Sequence, residues 1–194
     1  ASLDTNYAIA GALSTTPGAL GNNKWYYLYA ASGPTLQVSE TAPDDAAVAS
    51  SADAALRYCA SFRTNGSAAI LSFGANRHRY LYDTPINVLT AGTAGSWTSI
   101  GLSAQVPPTA RAVRLRIFGA NGSGAANSLT FQVKASGADA GAAGHTIEAP
   151  GQASGINGTV TTDLVLRLSA TKALQYKSNS ASLAVSIWVL GYDE

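Results

Sequence analysis

The sequence predicts an all-β chain: a small antiparallel β subdomain over residues 1–83, followed by a jelly-roll-like β-sandwich over residues 84–194. Three observations predict it. Large apolar residues recur at every second position in several short runs, which gives a strand one buried and one solvated face. Turn residues separate these runs, Asn-Gly pairs most clearly. Residues 84–194 hold about eight such runs without a solenoid or propeller period, the pattern of a sandwich or jelly roll.

The elements follow in order. Residues 1–23 are irregular, with turn signals at Thr16-Pro17-Gly18 and Gly21-Asn22-Asn23. Lys24–Ala31 is aromatic-rich and strand-like, and Gly33-Pro34 turns the chain into a second strand, Thr35–Ser39. The Ala/Asp/Ser-rich residues 41–55 fit either a short helix after Pro43, with Asp44 and Asp45 in its first turn, or a solvated loop. From Leu56 the alternation is clear: Leu56, Tyr58, Ala60 and Phe62 on one face, with Arg57, Cys59, Ser61 and Arg63 between them. Asn65-Gly66 supplies the two positive-φ residues of a type I′ hairpin turn. Strand-like runs at Ala68–Phe73 and Arg77–Tyr82 complete a meander, and Asp83-Thr84-Pro85 marks the domain boundary.

The second half restarts at Ile86–Leu89 and continues with Trp97–Leu102. Val106-Pro107-Pro108 must be a loop or edge, because two prolines remove ladder donors. Val113, Leu115 and Ile117 point inward, with Arg114 and Arg116 outward, and Asn121-Gly122 ends that strand. Leu129, Phe131 and Val133 repeat the pattern, and a Gly/Ala-rich loop leads to His145–Glu148. Leu164, Leu166 and Leu168 share a parity, as do Leu174 and Tyr176. The last run carries Leu183, Val185, Ile187 and Val189 on one face and Ala184, Ser186, Trp188 and Leu190 on the other. Apolar on both faces, it belongs at the centre of a sandwich or against a neighbour.

Composition narrows the function classes. Charged residues are 12% of the chain, about half the usual share, and the formal net charge is +1. The chain has no clustered basic block for nucleic acid and no apolar run of about 18 residues for a transmembrane helix. Cys59 stands alone, so no intrachain disulfide is expected; the alternation makes it an inert, half-buried thiol. Met is absent, as expected of a chain that has lost its initiator or is a piece of a longer one.

No catalytic or metal site is expected, and no cofactor. His78 and His145 stand far apart without zinc spacing, Asp44-Asp45 reads as solvated charge, and no Gly-x-Ser-x-Gly elbow occurs. The 11 acids are scattered and mark no glycosidase pair. Asn65, Asn121 and Asn157 form acceptor sequons, but turn chemistry accounts for all three. The remaining ligand candidates are Arg77, His78, Arg79 and Tyr80, the local basic-aromatic cluster, together with Trp97, since an exposed tryptophan makes a sugar platform.

Several motifs carry a family resemblance. Lys24–Tyr29 resembles the Trp-Tyr-x-Val-Tyr-Leu strand of tailed-bacteriophage virion proteins, particularly tail-fibre and related appendage proteins. Leu3-Asp4-Thr5 stands where their lead-in stands, and Ser39-Glu40-Thr41-Ala42-Pro43 matches the segment that follows. Arg63-Thr64-Asn65-Gly66-Ser67, Ile70-Leu71-Ser72-Phe73 and Tyr80-Leu81-Tyr82-Asp83 resemble their hairpin and closing strands. Val106–Arg111 and Val189–Tyr192 look like the sandwich segments of such chains. Residues 44–55 depart from the family's shorter turn, and Ala60-Ser61 replaces a glycine-containing pair. The resemblance implies a non-enzymatic protein exposed on the virion surface, homotrimeric and in contact with other virion proteins. It would be a tail-fibre or receptor-binding component recognising host-surface polysaccharide. A capsid decoration or head-fibre role is the alternative, and a polysaccharide depolymerase the second. Nucleic acid and membrane insertion are not expected.

Overall fold

The structure, a computed structural model, describes residues 14–15, 20–30, 36–43, 57–76, 78–122, 129–136, 144–150 and 158–194. Among these residues every regular element is a strand. The chain divides into two compact units, Ala1–Asn76 and Arg77–Glu194. The helix-or-loop alternative after Pro43 falls on residues 44–55, outside the described residues.

The first unit contains β1 (Ser14–Thr15), β2 (Trp25–Ala30), β3 (Leu36–Ser39), β4 (Arg57–Arg63) and β5 (Phe73–Asn76). Its sheet runs β1–β3–β2–β4, antiparallel except for the β1/β3 pair. The aromatic run of β2 is buried on both faces: Tyr26 on one, Tyr27 and Tyr29 on the other. Tyr26 stacks on Phe62 at 5.6 Å between centroids and packs with Val38, Leu20, Leu28 and Phe73. Tyr27 and Tyr29 meet Tyr58 at 6.5 and 6.0 Å. Since Ser61 pairs with Tyr27 and Phe62 with Tyr26, both are buried, and the strict alternation expected of β4 ends there. Leu28 pairs with Ala60 but Tyr29 with Tyr58, so Cys59 is the extra residue of a bulge. The thiol is therefore exposed rather than half-buried.

The hairpin after β4 is wider than the type I′ turn expected. Asn65 N–H donates to the Ala69 carbonyl at 2.8 Å and Ala68 N–H to the Asn65 carbonyl at 3.1 Å. Asn65 Oδ1 also accepts from Ser67 N–H (2.8 Å) and Ala69 N–H (3.1 Å). These bonds enclose a three-residue loop, Gly66-Ser67-Ala68, and place the left-handed residue at Ala68 (φ 58°). The Asn65 side chain acts as a local cap rather than as a positive-φ residue.

The second unit holds β6 (Arg79–Gly92), β7 (Thr98–Gly101), β8 (Ala112–Asn121), β9 (Leu129–Ala135), β10 (His145–Ala149), β11 (Gly158–Arg167), β12 (Ala173–Ser178) and β13 (Leu183–Asp193). Its antiparallel pairs are nested: β9 with β10, β8 with β11, β7 with β12 and β6 with β13. Two further pairings, β13 with β8 and β12 with β9, roll this long ribbon into sheets ordered β11–β8–β13–β6 and β10–β9–β12–β7. That is a jelly roll, as the strand count predicted. Inward residues of both sheets fill the core: Val113, Leu115 and Ile117; Phe131 and Val133; Leu183, Val185, Ile187 and Val189 are all fully buried. Each such side chain contributes about 1.5–3 kcal/mol of transfer free energy.

The expected boundary at Asp83–Pro85 lies inside β6, which takes in both the Arg79–Tyr82 and Ile86–Leu89 runs. Leu81 pairs with Gly191 and Ile86 with Val189, so the residues between them bulge away from β13. A bulge accommodates Pro85, which has no N–H to give the ladder. Opposite it, Gly191 lets the backbone of Tyr80 and Leu81 approach so closely that a Cβ would overlap the Tyr80 carbonyl oxygen.

Candidate functional site

The basic-aromatic cluster at the start of β6 separates into surface and core. Arg77 lies outside the described residues. His78 and Arg79 are exposed, and Arg79 Nε stands 3.8 Å from Asp193 Oδ1. Asp193 is also gripped by Arg114, whose Nε and Nη2 donate to its two oxygens at 3.0 and 2.8 Å. Tyr80 is only 3% exposed, and its ring stacks on Tyr192 at 4.8 Å and 13°. It is a core residue, so its ring offers no ligand surface. Tyr82 donates its hydroxyl to the Gln105 carbonyl at 2.5 Å.

Trp97 has a different setting. It precedes β7 and is half-buried against the β10–β9–β12–β7 sheet. In β9, Phe131 and Val133 point into the core, so Gln132 and Lys134 take the opposite face. In β12, Leu174 and Tyr176 point inward, and Gln175 and Lys177 outward. The register sets Lys134 opposite Gln175 and Gln132 opposite Lys177. Two lysines and two glutamines thus form a checkerboard with the ammonium groups on its diagonal. Trp97 lies across it: Lys134 Nζ is 4.4 Å and Lys177 Nζ 4.9 Å from the ring centroid. Gly144 makes room for the indole, since a Cβ there would come within 2.7 Å of Cη2. Gln132 Nε2 donates to Thr146 Oγ1 at 2.9 Å, extending the polar face onto β10.

Both lysines are outward residues of the sheet that Trp97 lies across, so the two cations engage the indole from the sheet side. Each cation–π contact is worth about 0.5–2 kcal/mol, and Lys134, 7% exposed, lies at the desolvated end of that range. Lys177, half-buried, is the more accessible of the two ammonium groups, and it is flanked by amide donors and acceptors. Such a face suits carboxylate or sulfate groups carried on a polyhydroxylated chain. Its lysines were not legible as partners of Trp97, because only strand register brings them together.

A second feature lies on the other sheet. Pro85, Arg116, Phe118, Thr161 and Trp188 line an open groove of about 290 Å³. Arg116 and Phe118 are outward residues of β8, Thr161 of β11 and Trp188 of β13. Arg116 Nε and Nη2 donate to Asp163 Oδ1 and Oδ2 at 2.9 and 3.0 Å. That fork of hydrogen bonds holds the Asp163 carboxyl below the usual carboxylate range and raises the guanidinium's affinity for its proton. The sequence carried a usable signal for this groove: Phe118 and Trp188 occupy the outward parity of strands whose inward parity is complete without them.

Among the described residues, no group of three or more His, Cys, Asp or Glu could hold a metal ion. His145 is exposed at the start of β10. No helix among the described residues is long and apolar enough to cross a membrane. Comparison with protein-family models and with curated proteins finds no match to this chain.

Proposed function

We propose that this chain is a surface module of a tailed-bacteriophage virion that recognises an anionic polysaccharide of the host. The Lys134/Lys177/Trp97 face carries this reading: two ammonium groups converge on one indole within a frame of glutamines. The motif resemblance over residues 3–83 supplies the virion context, and the jelly roll provides the rigid scaffold on which such a face is useful. No catalytic step is invoked. Lys177 and the glutamine amides contact the acidic sugar, and Trp97 and Lys134 hold the charge in place. Weak single sites gain strength by avidity in a homotrimer set among other virion proteins.

The test is a glycan array probed with purified protein, followed by titration of the acidic hits at several salt concentrations. Binding should weaken as salt rises, and Lys177→Glu should weaken it about tenfold or more. Failure to bind any acidic polysaccharide at low salt, together with capsid labelling of virions in electron microscopy, would replace recognition with a decoration role. Release of reducing sugar from host capsule would replace it with depolymerisation.

A further inference from the structure

We infer that the groove lined by Pro85, Phe118, Trp188, Thr161 and Arg116 is a second saccharide subsite, one that takes a single neutral pyranose through two neighbouring hydroxyls. The inference stands apart from the virion reading and from the Trp97 face, since every residue it uses lies on the opposite sheet.

Four observations carry it. The groove's volume, about 290 Å³, sits at the lower edge of the range for small-molecule pockets and fits one sugar ring better than an extended ligand. Its walls include two aromatic rings, Trp188 and Phe118, and pyranose C–H faces pack on such rings. Its charged lining residue is Arg116, which is held by Asp163, a residue beside the groove and outside its lining. Two of the five guanidinium N–H groups are spent on Asp163, which leaves three donors beside a carboxylate with acceptor capacity left over. Donor and acceptor therefore stand side by side, and adjacent hydroxyls, each able to donate and accept, answer both. Finally, the ion pair cancels its own charge. An anionic ligand therefore gains little here.

The core gives no competing reason for these rings. Ile117, Ile187 and Val189, on the inward parity of the same strands, are fully buried without help from Phe118 or Trp188. The other possible occupant is a second copy of the chain, and the experiment separates the two.

The full chain, isotopically labelled, is titrated with methyl α-mannopyranoside, methyl α-glucopyranoside and methyl β-galactopyranoside while the Trp188 indole and Arg116 guanidinium N–H resonances are followed. At least one glycoside should shift both resonances saturably, with a dissociation constant of about 1–10 mM. Asp163→Asn, an exposed and nearly isosteric change, should weaken that binding about tenfold, and Thr161→Val should weaken it by less. Lys177→Glu should leave it unchanged; this keeps failure here distinct from failure of the anionic-glycan reading. No shift at either resonance with any of the three sugars overturns the inference. So does an oligomer that Trp188→Ala dissociates into monomers, for the groove would then be a subunit contact.

Discussion

Replacing Gly191 with alanine tests the tightest approach in the jelly roll. The added Cβ would overlap the Tyr80 carbonyl oxygen and lie 2.9 Å from Leu81 Cα and from the Tyr80 carbonyl carbon. All three obstacles are backbone atoms of β6, so no rotamer change relieves the clash; β6 itself must move away from β13. Overpacking typically costs about 1–3 kcal/mol, and an immovable neighbour puts this site near 3 kcal/mol. Against a total stability of about 5–15 kcal/mol, that is a large fraction. The matched control is Gly101→Ala: nothing lies within 4 Å of a Cβ there, so the change should be neutral or stabilise by up to about 1 kcal/mol through the unfolded chain. Urea unfolding followed by tryptophan fluorescence reads both. Gly191→Ala should lower the midpoint with an unchanged slope, and Gly101→Ala should hold or raise it. Equal midpoints for Gly191→Ala and the parent would refute the close approach.

Two further predictions concern the hairpin and the groove. Ala68→Gly removes the left-handed strain at φ 58° and should stabilise the chain by up to about 1 kcal/mol, seen as a higher urea midpoint; a lower midpoint would mean the loop does not turn through this residue. Because its partner holds Asp163 below the usual carboxylate range, the stabilisation from the Arg116–Asp163 pair is present above that range and lost as pH falls through the depressed value. Pyranose binding at the groove should therefore be flat from neutral pH through the ordinary carboxylate range and decline only below it; a midpoint in the histidine range would point to a different titrating group.

The sequence conveyed parity well and register poorly. In β8 and β13 the two-residue period was strong, and each inward residue named from it is fully buried. Tyr80 also obeys parity: it faces the core with Tyr192, while its neighbour Leu81 is 42% exposed. The misreadings arose where side chains or bulges override the local pattern. Asn65 reads as a turn residue, but its carboxamide caps the loop and shifts the left-handed position to Ala68. Pro85 reads as a stop, but the β6 bulge absorbs it. Cys59 reads as half-buried, but a bulge turns it outward. Trp97 could be singled out by type alone. Its partners Lys134 and Lys177 could not, since β9 and β12 are distant in sequence and neighbours only in the rolled sheet.

The nested pairing has a mechanical consequence. β6 opens the second unit and β13 closes it, and the two run antiparallel side by side, with Arg79 opposite Asp193. The Glu194 N–H donates to the His78 carbonyl at 2.9 Å, so entry and exit meet at one corner. A pull between them would peel the β6–β13 ladder open one hydrogen bond at a time instead of shearing it all at once. Under tension this domain should yield at low force, beginning at the Arg79/Arg114–Asp193 clasp. If both ends are anchored at that corner, however, external load bypasses the ladder and the sandwich bears none of it.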